Sequence, residues 1–377
     1  MSKIYLPTAE QMDETLANLD KIAGALGSKI DLSSWKGIQT AVRSGLAPEL
    51  LPIGTQLTVS HSKYGDMVYD VVAHDYLKSA KDENAHTMTL MCHDSIGGVQ
   101  YDNREAFYYA DTLLPAGTYN FTIANTYSSW GAGTYQFTLT QDIPMGGQLC
   151  INEGAGGAIT TKKVQAFASH TATSATETVT IVSGDAGTNL GTFGVELNAA
   201  HRVSYGSNNY KESAIRQFLN SSAEIGAVWS PQTKYDRPPT WLSSLAGFVN
   251  GLDEDFLSVI GEVVVPCASN NSYESPDSTV TKGVKYTVRD KFYLASQKEI
   301  FGTNAAAAVD GSVLFPYYQD ATNADRIKRK NDSPVYWRLR SAHQLDGTST
   351  YYVTSSGTLT YSGSTDAHGC VPVCTIV

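Results

Sequence analysis

Residues 335–377 read VYWRLRSAHQLDGTSTYYVTSSGTLTYSGSTDAHGCVPVCTIV. Two apolar frames, WRLRS at 337–341 and GCVPVC at 369–374, enclose an interior built almost wholly of Ser, Thr, Gly, Tyr, Asp and His. Beyond Lys330 the chain contains no Lys, Glu, Met or Phe. Tyrosine supplies large, rigid contact area, and Ser, Thr and Gly supply adaptable hydrogen bonding, the combination found in antibody paratopes. Catalysis asks instead for paired titratable groups. The stretch reads as a surface for holding another molecule.

Alternation within the first frame sends Trp337 and Leu339 into a core and turns Arg338 and Arg340 to the other face, where they present guanidinium groups. Two short strands, Tyr351-Tyr352-Val353 and Thr358-Leu359-Thr360-Tyr361, flank a Ser355-Ser356-Gly357 turn and predict a hairpin, with Val353 and Leu359 as core contacts. The expected structural frame is Trp337, Leu339, Arg340, Val353, Gly369 and Pro372. The expected ligand-binding patch is His343, Asp346, Gly347, Thr348, Ser349, Thr350, Tyr351, Thr360, Tyr361, Ser362, Gly363, Ser364, Thr365 and Asp366. It lies on loops at one end of the domain, where the core does not constrain it.

Upstream, the 377 residues predict roughly two or three domains. Thr8 to Gln11 fits a capping box, and Met12, Leu16, Leu19, Ile22 and Leu26 form one helical stripe that ends at Gly27. Two readings of that helix stay open: packing on its own domain, or docking and self-association into a homo-oligomer. A second short helix carries Trp35, Ile38 and Val42 and ends near Gly45. From residue 50 to 196 the period changes to two, with near-duplicate strands at 118–123 (TYNFTI) and 134–139 (TYQFTL). Helices return at 213–220 and 253–261. The reading is α+β: an N-terminal helical segment at 1–49, an antiparallel β domain at 50–196, and a ligand-binding domain at 197–377.

Composition excludes several classes. A formal charge of -10 argues against nucleic acid, which needs a Lys/Arg footprint. The basic run Lys328-Arg329-Lys330, set among Asp320, Asp325 and Asp332, reads as a solvated loop. No apolar run approaches a membrane span, and the first twenty residues turn acidic where a signal peptide would be apolar. The five cysteines, Cys92, Cys150, Cys267, Cys370 and Cys374, lack CxxC spacing and read as small buried hydrophobes. His61, His74, His86 and His93 fall in one segment with Asp75 and Asp94, but their irregular spacing reads as structural, and no metal or cofactor is expected. A glycan hydrolase would need two carboxylates roughly 5 to 9.5 Å apart. Glu153, Glu196 and Glu262 are too scattered to nominate a pair, and no catalytic residue is assigned.

Several motifs in the last 180 or so residues occur in a familiar order. Tyr205-Gly206-Ser207-Asn208-Asn209-Tyr210 leads into the 213–220 helix. The segment 292–302 (FYLASQKEIFG), the WRLRS strand and the GCVP strand follow. Together they resemble the C-type-lectin-fold domains of variable proteins from diversity-generating retroelements, especially those of phages. The resemblance implies a C-type-lectin-like domain at 197–377 with a variable region at about 337–377. It also implies rewriting of Asn codons into Ser, Thr, Gly, Asp, Tyr and His codons; Gln344 does not follow from an Asn codon. The Glu-Pro-Asn, Gln-Pro-Asp and Trp-Asn-Asp motifs of calcium-dependent lectins are absent. Formylglycine-generating enzymes share such a core, but Cys370 and Cys374 sit on the closing strand, so no enzyme is expected. The expected function is receptor binding: a protein made in the bacterial cytoplasm and displayed on a phage virion for host attachment. Its partners would be virion proteins and a bacterial surface protein or glycan. The competing expectation is a structural head or tail decoration whose patch is buried in the particle.

Overall fold

The computed structural model describes residues 30–103, 106–110, 117–123, 133–139, 148–150, 167–171, 200–204, 208–232, 238–269, 284–304, 309–343 and 349–377. The expected helix with Met12 and Leu26 lies outside them, as do Glu153, Glu196, Gln344, Asp346, Gly347 and Thr348.

The described part is mixed, with five short α-helices and mostly antiparallel strands. The helices are α1 Trp35–Arg43, α2 Ala47–Leu50, α3 Ala214–Leu219, α4 Glu254–Val259 and α5 Gln297–Phe301. The first ten strands are β1 Gln56–His61, β2 Gly65–His74, β3 Met88–Cys92, β4 Gly98–Gln100, β5 Ala106–Ala110, β6 Gly117–Ile123, β7 Gly133–Leu139, β8 Gln148–Cys150, β9 Phe167–Thr171 and β10 Ala200–Ser204. The later ten are β11 Val263–Ser269, β12 Val284–Asp290, β13 Phe292–Tyr293, β14 Lys328–Lys330, β15 Ser333–Val335, β16 Trp337–Ala342, β17 Ser349–Val353, β18 Leu359–Gly363, β19 Ala367–Gly369 and β20 Val373–Ile376.

Local sequence explains most of these. Ser34, Ser213, Asp253 and Ser296 cap α1, α3, α4 and α5, each side chain accepting from a backbone N–H of the first turn. Around α5 the capping box is complete, because the Glu299 carboxylate also accepts from the Ser296 N–H at 2.7 Å. The near-duplicate segments pair with each other as β6 and β7, Tyr119 opposite Phe137 and Phe121 opposite Tyr135. The 351–361 hairpin forms as read, with Tyr351 opposite Tyr361 and Val353 opposite Leu359. Its turn requires Gly357, where φ is +79° and an added Cβ would lie 1.7 Å from the Asn323 carbonyl oxygen.

Two five-stranded sheets carry the core. One runs β1-β2-β3-β20-β13, and the other β18-β17-β16-β19-β4. The division at residue 196 therefore fails for residues 56–100. β3 pairs antiparallel with β20, Met91 opposite Val373, and β4 pairs with β19, Val99 opposite His368. These strands are apolar on the faces they bury: all five residues of β3 and all four of β20 are buried, and one continuous cluster links Ile38 and Val71 to Trp337 and Ile376. A strand as apolar as β3 needs neighbours on both edges, and β20 supplies the second.

The basic run departs from expectation as well. It is a strand, β14, paired with β15, and Lys328 is buried with Nζ donating to the Cys92 carbonyl at 3.1 Å. Arg329 and Lys330 stay at the surface side of that hairpin. Cys92, Cys267, Cys370 and Cys374 are free and buried, as read.

Candidate functional site

The sheet β18-β17-β16-β19-β4 carries the first frame, Gly369 of the second, and 349–351 and 360–363 of the expected patch. Register sorts its side chains into two faces. Trp337, Val353 and Leu359 lie abreast on one face, with Tyr351 and Tyr361 paired beside them. Arg338, Tyr352 and Thr360 lie abreast on the other, with Thr350 opposite Ser362.

On the first face Trp337, Leu339 and Val353 are fully buried, and Gly369 and Pro372 are buried as well. Gly369 is demanded by close approach, since a Cβ there would meet Ser95 Oγ at 2.5 Å and the Tyr336 carbonyl oxygen at 2.7 Å. At the end of this face His343, Tyr351 and Tyr361 form an aromatic cluster. The His343 ring lies 4.2 Å from Tyr361 and 5.7 Å from Tyr351, centroid to centroid. Tyr361 is half exposed, and Tyr351 and His343 are buried beneath it. Burial pushes the Tyr351 phenol up to about 12, with Tyr361 adding to the effect.

The second face corrects the reading of the arginines. Both are buried, not presented: Arg338 is 0% exposed and Arg340 1%. Arg338 satisfies its fork on main chain and hydroxyls. It donates to Thr350 Oγ1 at 2.8 Å, to the Thr350 and Gly363 carbonyls at 3.1 Å and to the Asp366 carbonyl at 2.8 Å. Among the described residues its Nε has no partner and no carboxylate stands within ion-pair distance. Burial accordingly lowers its pKa to about 10. Arg340 is different. Its two terminal nitrogens meet both oxygens of Glu299, at 2.6 and 2.7 Å, and it also donates to Ser312 Oγ and the Leu294 and Pro266 carbonyls. Burial alone would depress its pKa, but the charge of Glu299 and its hydrogen bonds reverse that and hold it above the ordinary guanidinium value. Both arginines can be buried because the five-donor fork reaches carbonyls that alternation rules do not consider.

The expected patch is partly surface and partly interior. Thr360, Ser362, Gly363 and Thr365 are half-buried, while Tyr361 and Asp366 are exposed. Ser349, Thr350 and Ser364 are buried, and the strands extend further than the reading allowed, so that 349–350 and 361–363 belong to the sheet and not to loops. These three buried residues carry structure: Thr350 holds Arg338, the Ser349 carbonyl accepts from the His343 N–H at 3.0 Å, and the Ser364 carbonyl accepts from the Asp102 N–H at 3.1 Å.

A second aromatic group escaped the sequence reading. Tyr336, Tyr352 and His368 gather where β19 meets β15, the His368 ring 4.2 Å from Tyr352 and 5.8 Å from Tyr336. The Tyr351-Tyr352 doublet was the available signal, because consecutive strand residues point to opposite faces. His368 shares a hydrogen bond with Ser362 Oγ at 2.9 Å, and burial, helped by Arg338, lowers its pKa to about 4. Beside this group runs a groove of about 450 Å³ lined by Ser95, Gly97, Lys330, Tyr336, Ser355 and His368 among others.

The histidines of the N-terminal half go to separate partners: His61 to the Phe248 carbonyl, His74 to the Leu51 carbonyl, His86 to Asp75 and His93 to Asp70. Among the described residues no three His, Cys, Asp or Glu side chains converge as metal ligands, and no helix is long and apolar enough to cross a membrane.

A family model described as "Domain of unknown function (DUF6273)" matches residues 176–377, more than half of the chain and all of the β16–β20 region. Comparison with curated proteins and with solved structures returns no match.

Proposed function

The chain belongs to the DUF6273 family, and from that premise we propose that it is a ligand-binding protein that uses the β17–β18 hairpin and the 363–366 turn as its contact surface. The reading takes the C-terminal region as C-type-lectin-like and the whole as a diversified receptor-binding protein carried on a phage virion for host attachment. The observation that supports it best is the contrast across one short stretch. Trp337, Leu339 and Val353 are fully buried, while Tyr361 is half exposed and rests on His343 and Tyr351. A rigid frame below and a Tyr/Ser/Thr surface above is the arrangement by which binding proteins separate stability from recognition.

The test is to sequence this locus across closely related phage genomes or one microbial community. Differences should cluster within 343–351 and 360–366, with Trp337, Leu339, Val353 and Pro372 fixed. At Ser349, Thr350 and Ser364 replacements should be confined to small polar residues, because these positions are buried. Changes scattered evenly over all 377 positions would overturn the diversified-binder reading and favour a structural virion protein.

A further inference from the structure

We propose that the groove between β15, β19 and the 95–98 turn is a second binding site, and that it takes a carboxylate-bearing sugar residue. Apart from Ser355, in the turn of the β17–β18 hairpin, its lining lies outside that contact surface, and it does not depend on the function proposed there.

Three observations meet there. The first is size and shape: about 450 Å³, open to solvent, enough for roughly one or two pyranose rings. The second is the platform. Tyr336 is 47% exposed, a large ring left uncovered, and it is braced from beneath by Tyr352 at 5.5 Å and by His368 at 5.8 Å. A tyrosine held rigid in this way offers its face to the C–H side of a sugar ring at small entropic cost. Ser355 adds a hydroxyl to the lining, and His368, bonded to Ser362 through Nε2, keeps Nδ1 without a partner among the described residues.

The third is charge. Lys330 lines the groove and has no carboxylate partner among the described residues; its ammonium lies over the Tyr64 ring, 5.8 Å from the centroid. Behind the platform stands Arg338, buried without a counter-ion, its guanidinium carbon 5.7 Å from the Tyr352 ring centre. Arg340, two residues on, shows what compensation looks like here, with Glu299 against it. Neither Arg338 nor exposed Asp366, the carboxylate that offsets part of its field, lines the groove itself; Lys330 does. A buried charge in a low-dielectric wall attracts an opposite charge more strongly than a surface lysine alone. The groove thus selects an anionic ligand with an apolar ring face, and a uronic or nonulosonic acid unit has both. The larger cleft of about 750 Å³ beside Tyr76 carries Lys78, Lys81 and Arg289 but lacks the exposed aromatic platform: Tyr76 is half-buried and its hydroxyl is taken by Glu299.

The experiment is calorimetric titration of the full chain with three probes, an oligogalacturonide, an oligoglucuronide and a sialyl oligosaccharide, and with the methyl ester of each. At least one acid should bind, its ester at least tenfold more weakly, and affinity should fall as salt is raised. Tyr336→Ala and Lys330→Met should each weaken binding at least tenfold, Tyr336→Phe should retain it, and Tyr361→Ala should leave it unchanged. Absence of binding by all three acids, equal binding of an ester, or indifference to both Tyr336→Ala and Lys330→Met would overturn the proposal. Loss on Tyr361→Ala would do so too, by moving the sugar to the other surface. The melting temperature of each variant separates lost contact from lost fold.

Discussion

Arg340 and Glu299 form a two-pronged ion pair, at 2.6 and 2.7 Å, with both side chains buried from solvent. The same carboxylate accepts from the Tyr76 hydroxyl at 2.9 Å and caps α5 through the Ser296 N–H. One anion thus ties β16, α5 and the segment after β2 to a single point.

Removing one partner strands the other. Arg340→Met should cost about 3–5 kcal/mol, because it leaves a buried carboxylate without its cation. Adding Glu299→Gln should bring a loss well short of the sum of the single variants, since the Glu299 charge goes, although buried Asp310, 3.8 Å from the Arg340 guanidinium, keeps its own. It should not restore full stability, because the cap of α5 and the Tyr76 bond are weakened too. Urea unfolding of the two singles and the double at neutral pH measures this coupling.

Arg338 should behave otherwise. It faces carbonyls and hydroxyls, so Arg338→Met should cost about 2–3 kcal/mol through acceptors left unpaired. The damage should be local. Amide exchange should speed up in β18 and the 363–366 turn while β3 and β20 keep their protection, and hydrogen-exchange mass spectrometry resolves the two regions.

His368 sets a pH dependence. Its pKa falls to about 4 from an ordinary 6.5. Above pH 6.5 both folded and unfolded chains carry it neutral, and it contributes nothing. As pH falls from 6.5 towards 4 the unfolded chain takes up a proton that the folded one refuses, so stability drops. The slope stays below the one-proton limit of about 1.4 kcal/mol per pH unit, because the ring is partly solvated. Subtracting the unfolding curve of His368→Gln from that of the parent isolates the effect, and NMR of the ring should show titration near pH 4.

Tyr361 separates recognition from folding. Its ring is half exposed and its strand partner Tyr351 is retained in the variant, so Tyr361→Ala should shift stability by less than about 1 kcal/mol. Attachment to host cells should fall at least tenfold if the hairpin is the contact surface, as a cell-binding assay with the purified chain would register.

Local features were legible from sequence because they obey short-range rules. The 351–361 hairpin, the helices beginning at Ser213 and Asp253, and the buried Trp337, Leu339 and Val353 each follow from spacing within ten residues, whereas the capped helix after Ser296 was not read. Long-range pairing was not legible. Nothing in the text of β3 names β20 as its neighbour, so the 50–196 domain was drawn across a sheet that spans both ends of the described chain. Arg338 misled for a related reason. Alternation gives the face of a side chain, but not whether a later turn folds over it, and the Gly363 and Asp366 carbonyls that bury it belong to that later turn. Tyr336, Tyr352 and His368 were missed because they come from three elements and meet only in space.

The position of β20 between β3 and β13 bears on how the chain is made. During synthesis β1, β2 and β3 emerge early and can pair with one another, but the free edge of β3 must wait for the ribosome to reach residue 373. Through that interval Met88, Leu90 and Cys92 are paired on the β2 side alone, and the nascent protein carries an adhesive edge that foreign strands can occupy. Final closure is then a late, high-contact-order event, so slow elongation or a stall upstream of β20 should yield aggregate in place of a smaller folded domain.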